Sequence, residues 1–302
     1  MQAFKPSSAV ARYFDLAILR GVGQIMFQGH AGTGVCFLAG IALASPIMLL
    51  GAVLGALIGP MTARVAGFDK DQIEQGLFGF NSTLVGLATL FFLKPAGLTF
   101  TLLVLGCIAS TFITWLAMRF LPFPAYTGPF VVSTWILLVI AHAIAGNSLD
   151  VSPASEAVAP GGFIEQVLRG EAEVMLGANV VTGILFLVGI ALSDVWHAGM
   201  ALLGSIVGTA MADYHGDPTQ AISIGIYGYN AALAAMAMFL KRKSLTLPIL
   251  AALIATGMTE FFPKSLGVPA LTGPFVAASW LMLAVIWLED RLFGEARWFS
   301  RP

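Results

Sequence analysis

Two stretches of this chain repeat one another: PAYTGPF at 124–130 and PALTGPF at 269–275. Proline lacks a backbone N–H and pushes the residue before it out of helical geometry. A helix can therefore restart at Pro129 and again at Pro274, leaving Thr127 and Thr272 on unwound chain beside the new N-termini. Helix N-termini present unsatisfied N–H groups and a partial positive charge. Two such N-termini with two hydroxyls favour a neutral, oxygen-bearing solute or an anion. One such motif alone is as easily an ordinary loop entering a helix; its duplication favours a site.

Little else in the chain offers reactive chemistry. The four histidines, His30, His142, His197 and His215, share no spacing and are read as interfacial or loop residues. Cys36 and Cys107 sit in apolar runs without paired or metal-ligand spacing and read as small packing residues. No His/Asp/Glu metal cluster or activated nucleophile is evident, so an enzyme is not expected, and neither is a cofactor or a metal.

The elements that must position the two motifs are hydrophobic. Of 302 residues, 58% are hydrophobic and 10% charged, against roughly 25% charged in a soluble domain. So much apolar surface calls for lipid as solvent. The net charge of −1 points to no nucleic acid and no acidic partner. Candidate spans of mostly apolar residues run over 32–44, 46–63, 75–93, 98–118 and 125–144, then 179–193, 196–212, 219–240, 245–262 and 270–288. Weakly amphipathic stretches at 13–28 and 163–177 precede the first span of each set and suit half-spanning helices. The N-terminal segment lacks the apolar core and cleavage site of a removable signal peptide.

The two sets are copies. Residues 19–43 align without gaps to 168–192 with twelve of 25 pairs identical, at an offset of 149. At that offset Gly79-Phe80-Asn81 meets Gly228-Tyr229-Asn230, and Leu84 meets Leu233. At an offset of 145, residues 124–135 meet 269–280 with eight of 12 identical. An odd number of spans per half requires the second copy to be inverted. With a cytoplasmic N-terminus, 12 of the 15 Lys and Arg fall inside and 3 outside, the direction of the positive-inside rule. The expected fold class is therefore all-α integral membrane: ten transmembrane helices plus two half-spanning helices, an inverted-topology repeat of two five-span halves around a central pore. Residues 1–149 form the first repeat and 150–302 the second, together one membrane domain.

The duplicated Pro-Ala-x-Thr-Gly-Pro-Phe, the Gly-Phe-Asn and Gly-Tyr-Asn pair and the Gly-Gln/Glu half-helices resemble the urea transporter family, in its bacterial form, from about residue 12 to 290. The resemblance implies a homotrimer in the cell (inner) membrane with one pore per subunit and both termini cytoplasmic. It also implies a narrow, flat filter between the repeats. Residue by residue, it implies outer sites at Gln24, Phe27 and Phe80 on one side and at Glu173, Leu176 and Tyr229 on the other. Leu84 and Leu233 narrow the middle, lined by Thr127 and Thr272. Two departures stand out: Leu176 faces Phe27 across the repeat, and Tyr229 faces Phe80, so the two mouths are unequal.

Urea is planar and neutral, with four N–H donors and one carbonyl, and each group stripped of water costs several kcal/mol if unpaired. Gln24, Glu173 and the threonines supply acceptors, and flat rings fit its faces. The expected function is thus passive, channel-like urea transport. The alternatives are an ion-coupled carrier of a small neutral solute, which wants several carboxylates inside spans, and a channel for short amides, ammonia or water. Glu173 could also be a solvated loop charge beside Glu171 and Arg169. Asn81 and Asn230 read as helix–helix hydrogen-bonding residues.

Overall fold

The computed structural model describes residues 8–151 and 161–293, apart from the side chains of 8–15, 264 and 293. Lys5, Arg297 and Arg301, three of the charges that set the expected orientation, lie outside the described residues, as does most of the polar stretch 147–162. Among the described residues the regular structure is helical. The first half runs α1 (Ser8–Gly23), α2 (Ala31–Ala44), α3 (Pro46–Val65), α4 (Lys70–Glu74), α5 (Phe80–Phe92), α6 (Gly97–Phe120) and α7 (Gly128–Ala145). The second runs α8 (Phe163–Glu173), α9 (Val180–Ser193), α10 (Val195–His215), α11 (Thr219–Ile224), α12 (Gly228–Lys241), α13 (Thr246–Glu260) and α14 (Gly273–Phe293). Helices α3, α6, α7 and α10 are each long and apolar enough to cross a bilayer, and α1 and α2 form a pair bent by 72° that passes the same test as one broken span. The chain is an integral membrane helical protein.

Helix starts follow local chemistry. Ser45 and Asp194 accept backbone N–H groups at the starts of α3 and α10, and His30 and Asn179 do so for α2 and α9. These satisfy N–H groups that a helix end leaves orphaned. Both pairs match at the offset of 149.

Two expected spans are broken. The stretch 75–93 opens on the turn that separates α4 from α5, so α5 is its helical part, and 219–240 divides into α11 and α12. The reason lies in Gly76 (φ 81°) and Gly225 (φ 89°), matched glycines in the left-handed region, where a side chain is strained. Each turn presses against a half-helix: Gly76 meets Gly21 of α1, and Gly225 meets Gly170 of α8.

Small residues let the remaining helices approach closely. A Cβ on Gly51 would strike the Gly86 carbonyl and one on Gly55 the Ser82 carbonyl, which seats α3 on α5. Gly204 and Gly208 seat α10 on α12 in the same way, against Ala231 and Tyr227. This is the packing that membrane helices use where lipid removes the hydrophobic drive between them.

The halves meet through reciprocal contacts. Thr33 Oγ1 donates to the Gly189 carbonyl at 2.6 Å, and its counterpart Thr182 donates to the Gly40 carbonyl at 2.9 Å. Phe37 and Phe186 pack ring against ring with centroids 4.9 Å apart. Trp135 Nε1 donates to the Pro269 carbonyl at 2.8 Å, and Trp280 Nε1 to the Pro124 carbonyl at 2.9 Å.

Candidate functional site

Both duplicated motifs leave the helix where proline requires it, and α7 and α14 start immediately after Thr127 and Thr272. The residues before the threonines, Tyr126 (φ 49°) and Leu271 (φ 47°), are in the left-handed region. So are Phe27 (φ 65°) and Leu176 (φ 59°), which end the short turns after the half-helices. These four are the non-glycine residues of positive φ among the described residues, and they form two matched pairs. Bulky side chains avoid that region, and such strain gathers at functional sites.

A threonine at the start of a helix normally caps it. Thr127 does not: its side chain makes no cap hydrogen bond. Asn81 of α5 supplies the cap instead, its Oδ1 accepting from Phe130 N at 3.2 Å, while its Nδ2 donates to Thr114 Oγ1 at 3.1 Å and to the Tyr126 carbonyl at 3.4 Å. Asn230 does the same in the second half, accepting from Phe275 N at 3.1 Å and donating to Thr259 Oγ1 at 3.2 Å and the Leu271 carbonyl at 3.3 Å. Sequence reading gave these asparagines a generic helix–helix role; they clamp the broken motifs. Their position beside Phe80 and Tyr229 was the available signal.

Freed from capping, the two hydroxyls turn to each other. Thr127 Oγ1 and Thr272 Oγ1 are 2.6 Å apart and buried, and neither has another hydrogen-bond partner among the described residues. A hydroxyl offers one hydrogen and two lone pairs. The bonded pair therefore still presents one hydrogen and three lone pairs.

Beside it is a small cavity lined by Leu84, Leu87, Phe130, Glu173, Val174, Leu176, Tyr229, Leu271 and Thr272. At about 10 Å³, it has roughly the room of one water molecule. Leu84, Glu173, Leu176, Tyr229 and Thr272 of the expected set are thus brought together, and Thr127 joins them through Thr272. Leu233 is fully buried in the same core without lining the cavity. Phe27 does not line that cavity; its ring lies 6.0 Å from those of Tyr126 and Phe275, with Tyr126 and Phe275 5.2 Å from each other. Phe80 is half-buried at the start of α5 and packs on the same core. Gln24 donates from Nε2 to the Gln75 carbonyl at 3.1 Å, which leaves its Oε1 as an acceptor. Phe130, Phe275, Tyr126 and Leu271 were missed, although they stand inside the quoted motifs.

The two halves differ at the matched positions. Tyr229 Oη donates to the Leu271 carbonyl at 2.6 Å, whereas Phe80 has no hydroxyl for the matching Tyr126 carbonyl. Glu173 is 7% exposed and faces the cavity, so it is not a solvated loop charge. Glu171 is 0% exposed, with neither oxygen hydrogen-bonded. His197 also departs from the expected interfacial or loop position: it is buried, with Nδ1 3.1 Å from Gln28 Nε2 across the two halves. A larger open groove, about 610 Å³, lies behind Thr272 between α13, α14 and Trp135 and is lined almost entirely by apolar side chains.

The urea transporter family model matches residues 16–286. Urea transporter 1 of Rattus norvegicus is 25% identical over 254 residues, covering 78% of this chain and 65% of that protein. Urea transporter 1 of Mus musculus is 25% identical over 307 residues, covering 92% and 78%. Urea transporter 1 of Capra hircus is 25% identical over 289 residues, covering 88% and 75%.

Proposed function

The chain belongs to the urea transporter family, and on that premise we propose that it moves urea passively, down its gradient, through a narrow passage at the Thr127–Thr272 pair. The family is one of transport proteins, not enzymes. The observation that carries the reading is the hydroxyl pair itself: two threonines 145 residues apart, hydrogen-bonded at 2.6 Å, with their remaining valences free.

Urea entering the passage gives up water around four N–H groups and a carbonyl, which costs several kcal/mol per group left unpaired. Gln24 Oε1 accepts at one mouth and the Glu173 carboxylate at the other. Phe27 and Phe80 flank the first mouth. Leu176 and Tyr229 flank the second, where one flat ring gives way to a branched chain. In the middle the threonine pair keeps its mutual bond and offers urea what remains: lone pairs receive N–H groups and the free hydrogen meets the carbonyl. Leu84 and Leu233 keep that point dry and narrow. An ion forced into the same place loses its hydration without a counter-charge on the Gln24 side.

The two halves are read as an inverted repeat of ten spans and two half-helices, α1 and α8. The reciprocal threonine and tryptophan bonds across the halves support this, as do the matched breaks at Gly76 and Gly225. The inner membrane, cytoplasmic termini and a homotrimer with one passage per subunit complete the reading.

The test is urea flux into proteoliposomes. Equilibration in either direction, unaffected by proton or sodium gradients, supports the passive reading; accumulation above equilibrium under an imposed ion gradient overturns it. Sidedness has its own test. Lys70 and Thr219 are exposed, matched first residues of α4 and α11. Single cysteines placed there, with Cys36 and Cys107 replaced, should label from opposite sides of the membrane. Labelling from one side would sink the inverted repeat.

A further inference from the structure

In the first half, Phe68 of the α3–α4 loop stacks on Trp115 of α6 with rings 5.1 Å apart and 8° from parallel, and Phe78 packs on Phe68 at 5.3 Å. The second half puts Asp217, Tyr227 and Glu260 at the matched positions. Where the first half packs three rings, the second half places two carboxylates and a phenol hydroxyl. His215, at the end of α10, completes it, with Nδ1 3.0 Å from Glu260 Oε2 and 3.1 Å from Oε1. Tyr227 Oη donates to Asp217 Oδ1 at 3.2 Å. Asp217 Oδ2 is buried without a hydrogen-bond partner. One ligand atom from each of His215, Asp217 and Glu260 lies within 4.8 Å of the others.

We propose that His215, Asp217 and Glu260 bind a divalent transition-metal ion of the zinc type at the face where α10 and α13 end. One imidazole and two carboxylates supply the nitrogen and oxygen donors that zinc accepts, and the two carboxylates balance its charge. The ion takes the place of the hydrogen bond between His215 Nδ1 and Glu260, and it engages the Asp217 oxygen that otherwise has no partner. The Glu260 side chain is only 5% exposed, which fixes it, while His215 at 40% leaves a path for entry. Tyr227, bonded to Asp217, precedes the Gly228-Tyr229 start of α12, and Thr259, which receives Asn230, precedes Glu260. A bound ion therefore ties the chain ends that hold the Tyr229 mouth. Sequence spacing did not disclose this set because Glu260 ends α13, far along the chain from His215 at the end of α10 and Asp217 in the loop after it.

The experiment titrates zinc, with magnesium in parallel, into the purified full chain in detergent and non-chelating buffer by calorimetry, followed by thermal unfolding with and without zinc. The expected result is one zinc per chain, no magnesium binding, and a higher unfolding temperature with zinc. His215→Asn and Asp217→Asn should each weaken zinc at least tenfold, while His142→Asn, at the other exposed histidine–carboxylate pair, should not. Unchanged affinity in His215→Asn and Asp217→Asn would overturn the site, as would loss in His142→Asn or no stoichiometric zinc binding by the wild type. Asp217→Asn keeps the oxygen that receives Tyr227, so folding is retained in that variant and its zinc affinity remains readable.

Discussion

Thr127 and Thr272 hold hydroxyl oxygens 2.6 Å apart from opposite halves of the chain, and neither caps the helix it precedes. Valine matches threonine in shape, so Thr127→Val and Thr272→Val each remove a hydroxyl and little else. Each should raise the barrier to urea by about 1–3 kcal/mol, a slowing of roughly five- to 160-fold, with protein yield nearly unchanged. Because the hydroxyls bond one another, the double variant should fall short of the sum of the two. Stopped-flow light scattering of proteoliposomes reads all three. If both single variants conduct like wild type, the motifs serve only as helix starts.

Asn81 and Asn230 free those hydroxyls by capping α7 and α14 in their place. Asn230→Leu leaves Phe275 N without its acceptor, Thr259 Oγ1 without a donor, and the Leu271 carbonyl with one donor fewer. An unsatisfied buried group costs about 1–3 kcal/mol. The Leu271 carbonyl keeps Tyr229 Oη, so the loss should be smaller than the full sum. Asn81→Leu lacks that second donor at the Tyr126 carbonyl and should destabilise the chain more than Asn230→Leu. Thermal unfolding of the two variants gives the order, and the reverse order would contradict the role given to Tyr229.

Glu173 stands at the position that Gln24 holds in the first half, at a cavity rather than in a loop. An acceptor oxygen, not a charge, is the common property. Glu173→Gln should therefore keep most of the urea flux and Glu173→Leu should lose most of it, with similar yield. A folded but inactive Gln variant would instead assign the carboxylate a proton or ion role.

Hydropathy and duplication made the helices and the threonine motif readable, because a lipid-facing helix needs a long apolar run and matched glycines and prolines do not recur by composition alone. The breaks at Gly76 and Gly225 were hidden inside apolar runs, since a left-handed glycine leaves no mark on hydropathy. The aromatic contacts of Phe27 with Tyr126 and Phe275, and the clamps of Asn81 and Asn230, depend on which loops meet in space. A linear spacing does not carry that. Glu171 and Glu173 are two residues apart in polar sequence, where Glu173 reads either as a site residue or as a solvated loop charge; only the packing of α8 against α9, α10 and α12 shows that both are enclosed.

Glu171 distinguishes the passive from the coupled reading. It is 0% exposed, and neither carboxyl oxygen has a hydrogen-bond partner. Its counterpart in the first half is Val22, fully buried as well. A coupled carrier binds its ion in the same cycle as its substrate, and a dehydrated cation in the hydrocarbon region needs carboxylates or a dense set of carbonyls. Glu171 and Glu173, both buried at the end of α8, are the carboxylates that such a role would call on. A passive passage has no use for Glu171, and there its burial is a cost. Valine has nearly the volume of glutamate, so Glu171→Val opens little cavity and removes an unpaired buried polar group. The passive reading then predicts a more stable protein, by about 1–3 kcal/mol, with urea flux close to wild type. The coupled reading predicts that flux falls with the carboxylate and that wild-type vesicles concentrate urea when an ion gradient is imposed. Unfolding temperature and uptake, measured on the same preparation, separate the two. A stabilised variant that has lost transport would move the ion-coupled carrier to first place.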